Sequence, residues 1–222
     1  AGGEGGAQCG GVEACVGVEV AYTVHASGLV DSSWRLDTRG ALPAQLPPGL
    51  HRSLPRVGVA AVLRGEFGST LWWYGRGPHE CYPDRQSGAL VGLHTCVVGG
   101  AGGEYVFPQE HGGRTGVRCG VVRAAASSAA LAVFPSAASP PMTLTARRAA
   151  TGALHAARHP HEVVDEGRLH LVMDHAHMGV GGDDSWSPSV HEQYLVQPGV
   201  HEFSLAMVLC NVVQAEGSLP SI

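Results

Sequence analysis

An antiparallel all-β sandwich is the fold class this sequence predicts, and three observations carry the prediction. Short apolar runs, alternating or continuous, recur along the 222-residue chain. Turn signals separate them. No long segment places apolar residues at i, i+3, i+4 and i+7, so amphipathic helices have little to build on. Many short strands at turn-punctuated spacing argue for a sandwich rather than a parallel α/β sheet.

In chain order the runs are "VEVAYTV" (18–24), "VGVAAVL" (57–63), "STLWWYG" (69–75), "GVRCGVV" (116–122), "ALAVF" (130–134), "MTLTA" (142–146), "RLHLVMD" (168–174), "EQYLVQ" (192–197) and "HEFSLAMVL" (201–209). The last alternates cleanly: Phe203, Leu205, Met207 and Leu209 fall on one face, Glu202, Ser204 and Ala206 on the other. Between the runs lie "PPG", "GRGP", "YPD", "HGG" and "QPG", residues that preset or permit turn backbone. The Ala-rich part of 121–157 is ambiguous, and its flanking strands assign it to β. Residues 97–104, "VVGGAGGE", read as a soft surface loop. Without an internal repeat or a second composition regime, one domain is expected over 16–212, after a flexible Gly-rich leader (1–15) and before a tail (213–222).

Hydrophobic content of 44% against 15% charged residues is globular rather than disordered. The net charge is −5 and every basic residue is Arg, so nothing points to nucleic acid or an anionic membrane. No apolar run is long enough for a transmembrane helix. The opening "AGGEGGAQCGG" lacks the parts of a signal peptide, so a cytoplasmic location is expected. The six cysteines, scattered without CxxC spacing, read as free thiols.

Two stretches are dense in chemistry. "WWYGRGPHECYPDR" (72–85) opens as a strand and breaks at Gly75–Pro78, with Arg76, Glu80, Asp84 and Arg85 near enough for a hydrogen-bonded web that stiffens a long turn. "HMGVGGDDSWSPSV" (177–190) sets Trp186 among residues that make poor helix and poor strand. A loop indole can stack on the C–H face of a sugar ring. It can equally plug its loop onto the core, and composition alone leaves both open. Asp183 and Asp184 are adjacent, so they can rarely both face one glycosidic bond; Asx turns are the expected role.

Thirteen histidines invite a metal reading, in "HAARHPH" (His155, His159, His161) and "DHAHMG" (His175, His177). Zinc needs a third ligand and an outer shell, which the sequence does not nominate. Solvated or hydrogen-bonded histidine is therefore the expectation. "DDSWS" is no nucleophile elbow, and "GVGG" and "YGRGPH" are no phosphate loop.

"LPRVGV" (54–59), "WWYGRGPHECYPDR", "YVFPQEHGGRTGVR" (105–118) and "HMGVGGDDSWSPSV" stand in the order and spacing of the C-terminal domain of bacterial-type glycoside hydrolase family two β-galactosidases, which the chain resembles over roughly 18–210. The resemblance implies a large antiparallel β-supersandwich of the galactose mutarotase-like kind. It implies the hydrolysis of terminal β-D-galactosides such as lactose by a complete enzyme. The catalytic glutamates and the magnesium would lie on a TIM barrel that 222 residues without βα alternation cannot hold. No cofactor and no catalytic residue is then expected in this chain, which alone should be inactive. Trp186 matches the family's substrate-stacking residue, and Gly181, Gly182, Asp183, Asp184 and Ser185 would shape the loop presenting it. Partners implied are the galactoside, the barrel portion in cis or in trans, and an oligomer in the complete enzyme. Cut from its barrel, the domain should expose an apolar interface and self-associate. The chain departs from the family at His111, Cys119 and "AAASSAA" (124–130). Competing readings are a free-standing galactoside-binding module and a mutarotase using Glu110 with His111, His175 or His177.

Overall fold

Eleven strands and one short helix make up the secondary structure in the computed structural model, which describes residues 15–42, 52–68, 70–99, 105–184, 186 and 190–211. In chain order they are β1 (Gly17–Val24), β2 (Val30–Asp37), β3 (Arg56–Arg64), β4 (Thr70–Gly77), β5 (Leu90–Val97), β6 (Arg114–Val117), β7 (Cys119–Arg123), β8 (Ala129–Pro135), β9 (Met142–Arg147), α1 (Thr151–Ala156), β10 (Arg168–His177) and β11 (Val200–Asn211). Every strand pairing is antiparallel. A seven-stranded sheet, β1-β2-β11-β8-β7-β4-β5, faces a four-stranded sheet, β3-β10-β9-β6. The fold is an all-β sandwich, as the periodicity predicts.

The core lies between the sheets. Leu169, Leu171 and Met173 point inward from β10 at alternate positions, each 0% exposed, and meet Trp73, Val122 and Val133 of the wide sheet. At Gly120 the side chains of the facing sheet leave no room, and an added Cβ would lie 2.3 Å from Leu144 Cδ2. The wide sheet overhangs its narrower partner. β1, at its edge, is exposed along its whole length, so Val18, Val20, Tyr22 and Val24 form an uncovered apolar stripe. The stripe borders Trp34, against which Tyr22 packs edge-on and Phe203 stacks.

Four expectations need correction. "EQYLVQ" is a 3-10 turn (Glu192–Tyr194) followed by a single bridge, Leu54 to Val196, because Tyr194 bonds back to His191 and Pro198 follows within the same short segment. "GVRCGVV" is two strands: Gly116, at φ +65°, turns the backbone, and the chain passes from the narrow sheet to the wide one at Arg118. The Ala-rich zone is β only as far as Arg147, and Thr151–Ala156 is helical, held by buried Leu154 in a small cluster with Ala149, Ala157 and Val163. β2 and β5 are strands that none of the expected apolar runs covers. The first is "VDSSWRLD", and the second is an edge strand whose Leu90, Leu93 and Val97 stay exposed.

Nearly all of the expected leader and the whole of the expected tail lie outside the described residues; Cys15 is described, and donates its N–H to Gly40 O at 2.8 Å. Among the described residues, no helix is long and apolar enough to cross a membrane.

Candidate functional site

The loop after β10 is tied down at its root. Met178 N–H bonds Pro55 O at 3.0 Å and Gly179 N–H bonds Tyr194 O at 2.9 Å. The next two amides point at one carboxylate: Val180 N–H donates to Asp84 Oδ1 at 3.1 Å and Gly181 N–H to Oδ2 at 2.7 Å. Asp84 is presented by a tight turn in which Tyr82 and Arg85 exchange backbone hydrogen bonds, with the Tyr82 ring fully buried beneath. Glycine leaves room for so close an approach. A Cβ on Gly179 would sit 2.5 Å from Asp84 Oδ2, and one on Gly181 3.2 Å from it.

Gly181, Gly182, Asp183 and Asp184 are exposed. His191 Nε2 lies 2.9 Å from Asp183 Oδ1, and Asp184 Oδ1 accepts the Trp186 N–H at 3.0 Å, an Asx turn. Ser185 falls outside the described residues. Trp186 is 88% exposed. The indole therefore does not plug its loop onto the core of this chain.

The web expected within 72–85 takes a different form. Arg85 pairs with Glu80, but Arg76 donates to Ala89 O at 2.9 Å and Asp84 serves the distant loop. Glu80 also accepts from Tyr105 Oη and, at 2.7 Å, from Gly112 N–H. Burial pushes the Glu80 carboxyl up; the Gly112 amide, Tyr105 and Arg85 outweigh that and hold it below its usual value. Glu80, Tyr105 and Gly112 line a cleft of about 590 Å³ with His79, His111 and Arg114.

Behind that cleft lies a largely buried ion network invisible to local sequence patterns. Glu110 accepts from Arg147 at 3.1 Å and from Tyr82 Oη at 3.2 Å, and ion-pairs with Arg56 at 3.0 Å. Arg56 also lies 3.6 Å from Asp174 Oδ2. Burial pushes Glu110 up, but the charges of Arg147 and Arg56 more than offset it and keep it ionised. Asp174 goes the other way: burial pushes it up to about 7 against the pull of Arg56.

The acid–base pairings suggested for a mutarotase do not assemble well. His177 Nε2 lies 4.0 Å from Glu110, and burial lowers its proton affinity. His111 is turned to Gln109 O, and His175 stacks on Phe203 at 4.9 Å. A carboxylate held by two guanidiniums and a phenol is a weak base. The network can orient and stiffen; as a proton acceptor it is poor.

The sequence is matched over residues 7–209 by the family described as β-galactosidase small chain. It is 31% identical over 197 residues to a β-galactosidase of Psychromonas ingrahamii, covering 86% of this chain and 18% of that protein. A β-galactosidase of Vibrio vulnificus is 35% identical over 176 residues, covering 79% and 16% of the two chains. One of Aeromonas hydrophila is 37% identical over 172 residues, covering 76% and 15%. The chain thus spans under one fifth of the length of the curated relatives it matches. With two sheets, the Asp84-anchored loop and a family match over most of its residues, the chain belongs to the β-galactosidase small-chain family.

Proposed function

We propose that this chain is the C-terminal, substrate-shaping part of a β-galactosidase that hydrolyses terminal β-D-galactosides such as lactose. Its role is to present Trp186 as a stacking platform, while the carboxylates that break the bond, and magnesium, belong to a TIM barrel outside it. The observation that carries the reading is an 88% exposed indole on a loop whose root is fixed by Asp84. An exposed large aromatic on an anchored loop suits a ligand or a neighbouring domain, and a flat indole suits the C–H face of a sugar. Gly181, Gly182, Asp183, Asp184 and Ser185 shape that loop in this reading.

The same reading supplies a partner. The apolar stripe of β1 (Val18, Val20, Tyr22, Val24) is a surface for the rest of the enzyme, in cis or in trans, within an oligomer. A cytoplasmic location belongs to the proposal. Cys15, Cys81, Cys96, Cys119 and Cys210 are free thiols, the state a reducing compartment maintains.

The test is an assay of the chain on a chromogenic β-galactoside, alone and mixed with a barrel-containing β-galactosidase lacking this region. Silence alone and activity on mixing are expected. Activity of the chain alone would overturn the proposal, because some carboxylate pair within it would have to do the chemistry.

A further inference from the structure

We propose that His159, His161 and Glu162 form a site for one divalent transition-metal ion, with Zn²⁺ as the reference case, on the surface turn after α1. His159 caps a 3-10 turn that runs from Pro160 to Glu162. A reciprocal capping box between the His159 and Glu162 side chains and each other's backbone amides puts the two on one side. The imidazole of His161 stacks on that of His159, with ring centres 5.4 Å apart and planes 18° from parallel. One donor atom from each of the three lies within 4.8 Å of the other two.

The spacing suits the ion. His159 Nδ1 and Glu162 Oε1 are 3.2 Å apart, within hydrogen-bond distance. Donors at about 2.0 Å from a tetrahedral zinc are about 3.3 Å from each other. An ion between these two atoms replaces the side-chain contact and the capping bond that the His159 ring accepts from the Glu162 N–H. The His161 ring closes the third position by rotating its exposed side chain.

The carboxylate is already oriented. Glu162 Oε2 accepts the N–H of Arg158 at 2.6 Å and that of His159 at 3.2 Å, so the backbone holds one oxygen and leaves the other for the ion. This is the supporting shell that metal ligands need. Two imidazoles and one carboxylate suit zinc, copper, nickel or cobalt; magnesium and calcium prefer all-oxygen sites. Side-chain exposures of 63% for His159 and 41% for Glu162 leave the remaining coordination to water. The sequence shows "HPHE" but does not show that Glu162 folds back onto His159, so the third ligand goes unnominated there.

Calorimetric titration of the chain with ZnCl₂ tests the site. One ion is expected per chain with micromolar affinity, and the thermal midpoint should rise with Zn²⁺. His161→Ala is the decisive variant, because His161 gives the turn only a stacked ring while His159 and Glu162 keep its hydrogen bonds. It should weaken binding roughly tenfold or more and leave the metal-free midpoint unchanged. Glu162→Gln should weaken binding as well. His25→Ala, which removes an exposed histidine paired with Asp31, should bind as the parent does. Absence of saturable binding, or equal affinity in His161→Ala, would overturn the proposal.

Discussion

Asp84 Oδ2 accepts the backbone N–H of Gly181 at 2.7 Å across 97 residues of chain, and this joins the long turn after β4 to the loop after β10. With the Val180 amide on Oδ1, one carboxylate satisfies two donors that would otherwise face only water. Hydrogen bonds to a charged acceptor contribute about 1.5–3 kcal/mol when buried, and less at an exposed site such as this one. Asp84→Ala should therefore free the loop without unfolding the sandwich. Faster hydrogen exchange at Val180 and Gly181, with little change in the thermal midpoint, is the expected result. Unchanged exchange would show that Met178 and Gly179 alone hold the loop.

Gly179 tests the same anchor from the other side. Its added Cβ would meet Asp84 Oδ2 at 2.5 Å and Val190 Cγ1 at 3.0 Å. Gly179→Ala should push the carboxylate away and raise the same exchange rates. Since both substitutions break one contact, the double variant should lose less than the sum of the singles. Strict additivity, read from exchange free energies, would separate the two residues.

What the sequence makes legible follows from how each feature is encoded. β11 is plain because Phe203 and Leu205 alternate with Glu202 and Ser204 and both are buried. Past them the expected alternation ends, since Ala206 is buried and Leu209 is 68% exposed. β2 is hidden because one of its inward positions is Ser32, whose hydroxyl bonds Leu205 O at 3.0 Å instead of presenting an apolar side chain. Trp186 stands out, since a loop indole has no local packing reason to be there. Asp84 does not, because its partners are backbone amides, and every residue except proline offers one. Arg56, Glu110, Arg147 and Asp174 come from separate strands and loops, so only the sandwich brings them together. The motif resemblance reaches further than periodicity at the Trp186 loop and adds nothing about that network.

Gly120 should tolerate no side chain while Leu144 stands opposite. A Cβ there falls 2.3 Å from Leu144 Cδ2, and overpacking of this kind costs roughly 1–3 kcal/mol. Gly120→Ala should lower the denaturant midpoint, and adding Leu144→Val should recover part of the loss by clearing the clash. A double variant less stable than either single would mean that backbone conformation, and not the approach of the two sheets, makes Gly120 necessary.

Asp174 predicts a pH dependence of stability. Its carboxyl titrates at about 7 in the fold against 3.8 in the unfolded chain, with burial as the main cause. The folded state then binds the extra proton between these values, so stability falls as pH rises, by about 1.4 kcal/mol per unit for a fully coupled group. Glu110, held low, contributes in the opposite sense but only below its usual range near 4.5. His175 and His177, whose proton affinities burial lowers from the usual 6.5, contribute in the opposite sense within about pH 5 to 7. Asp174 is therefore isolated by comparing a variant with the parent and not by the parent's curve alone. Asp174→Asn should gain on the parent as pH rises to about 7 and hold that gain above it, and parallel stability curves would refute the assignment.

The Trp186 proposal makes the sharpest kinetic demand. A stacking platform contributes contact area to the bound substrate and to the transition state alike, so its loss removes binding that both share. In a complete β-galactosidase carrying this region, Trp186→Ala should raise KM severalfold and leave kcat within about twofold, on that reasoning. Trp186→Phe should recover part of the loss, since a smaller ring keeps some of the face. Asp84→Ala should show a weaker version of the same pattern, because it loosens the loop without removing the indole. A large fall in kcat at unchanged KM would place Trp186 in the chemical step. No change in either constant would leave the exposed indole as a contact with the rest of the enzyme.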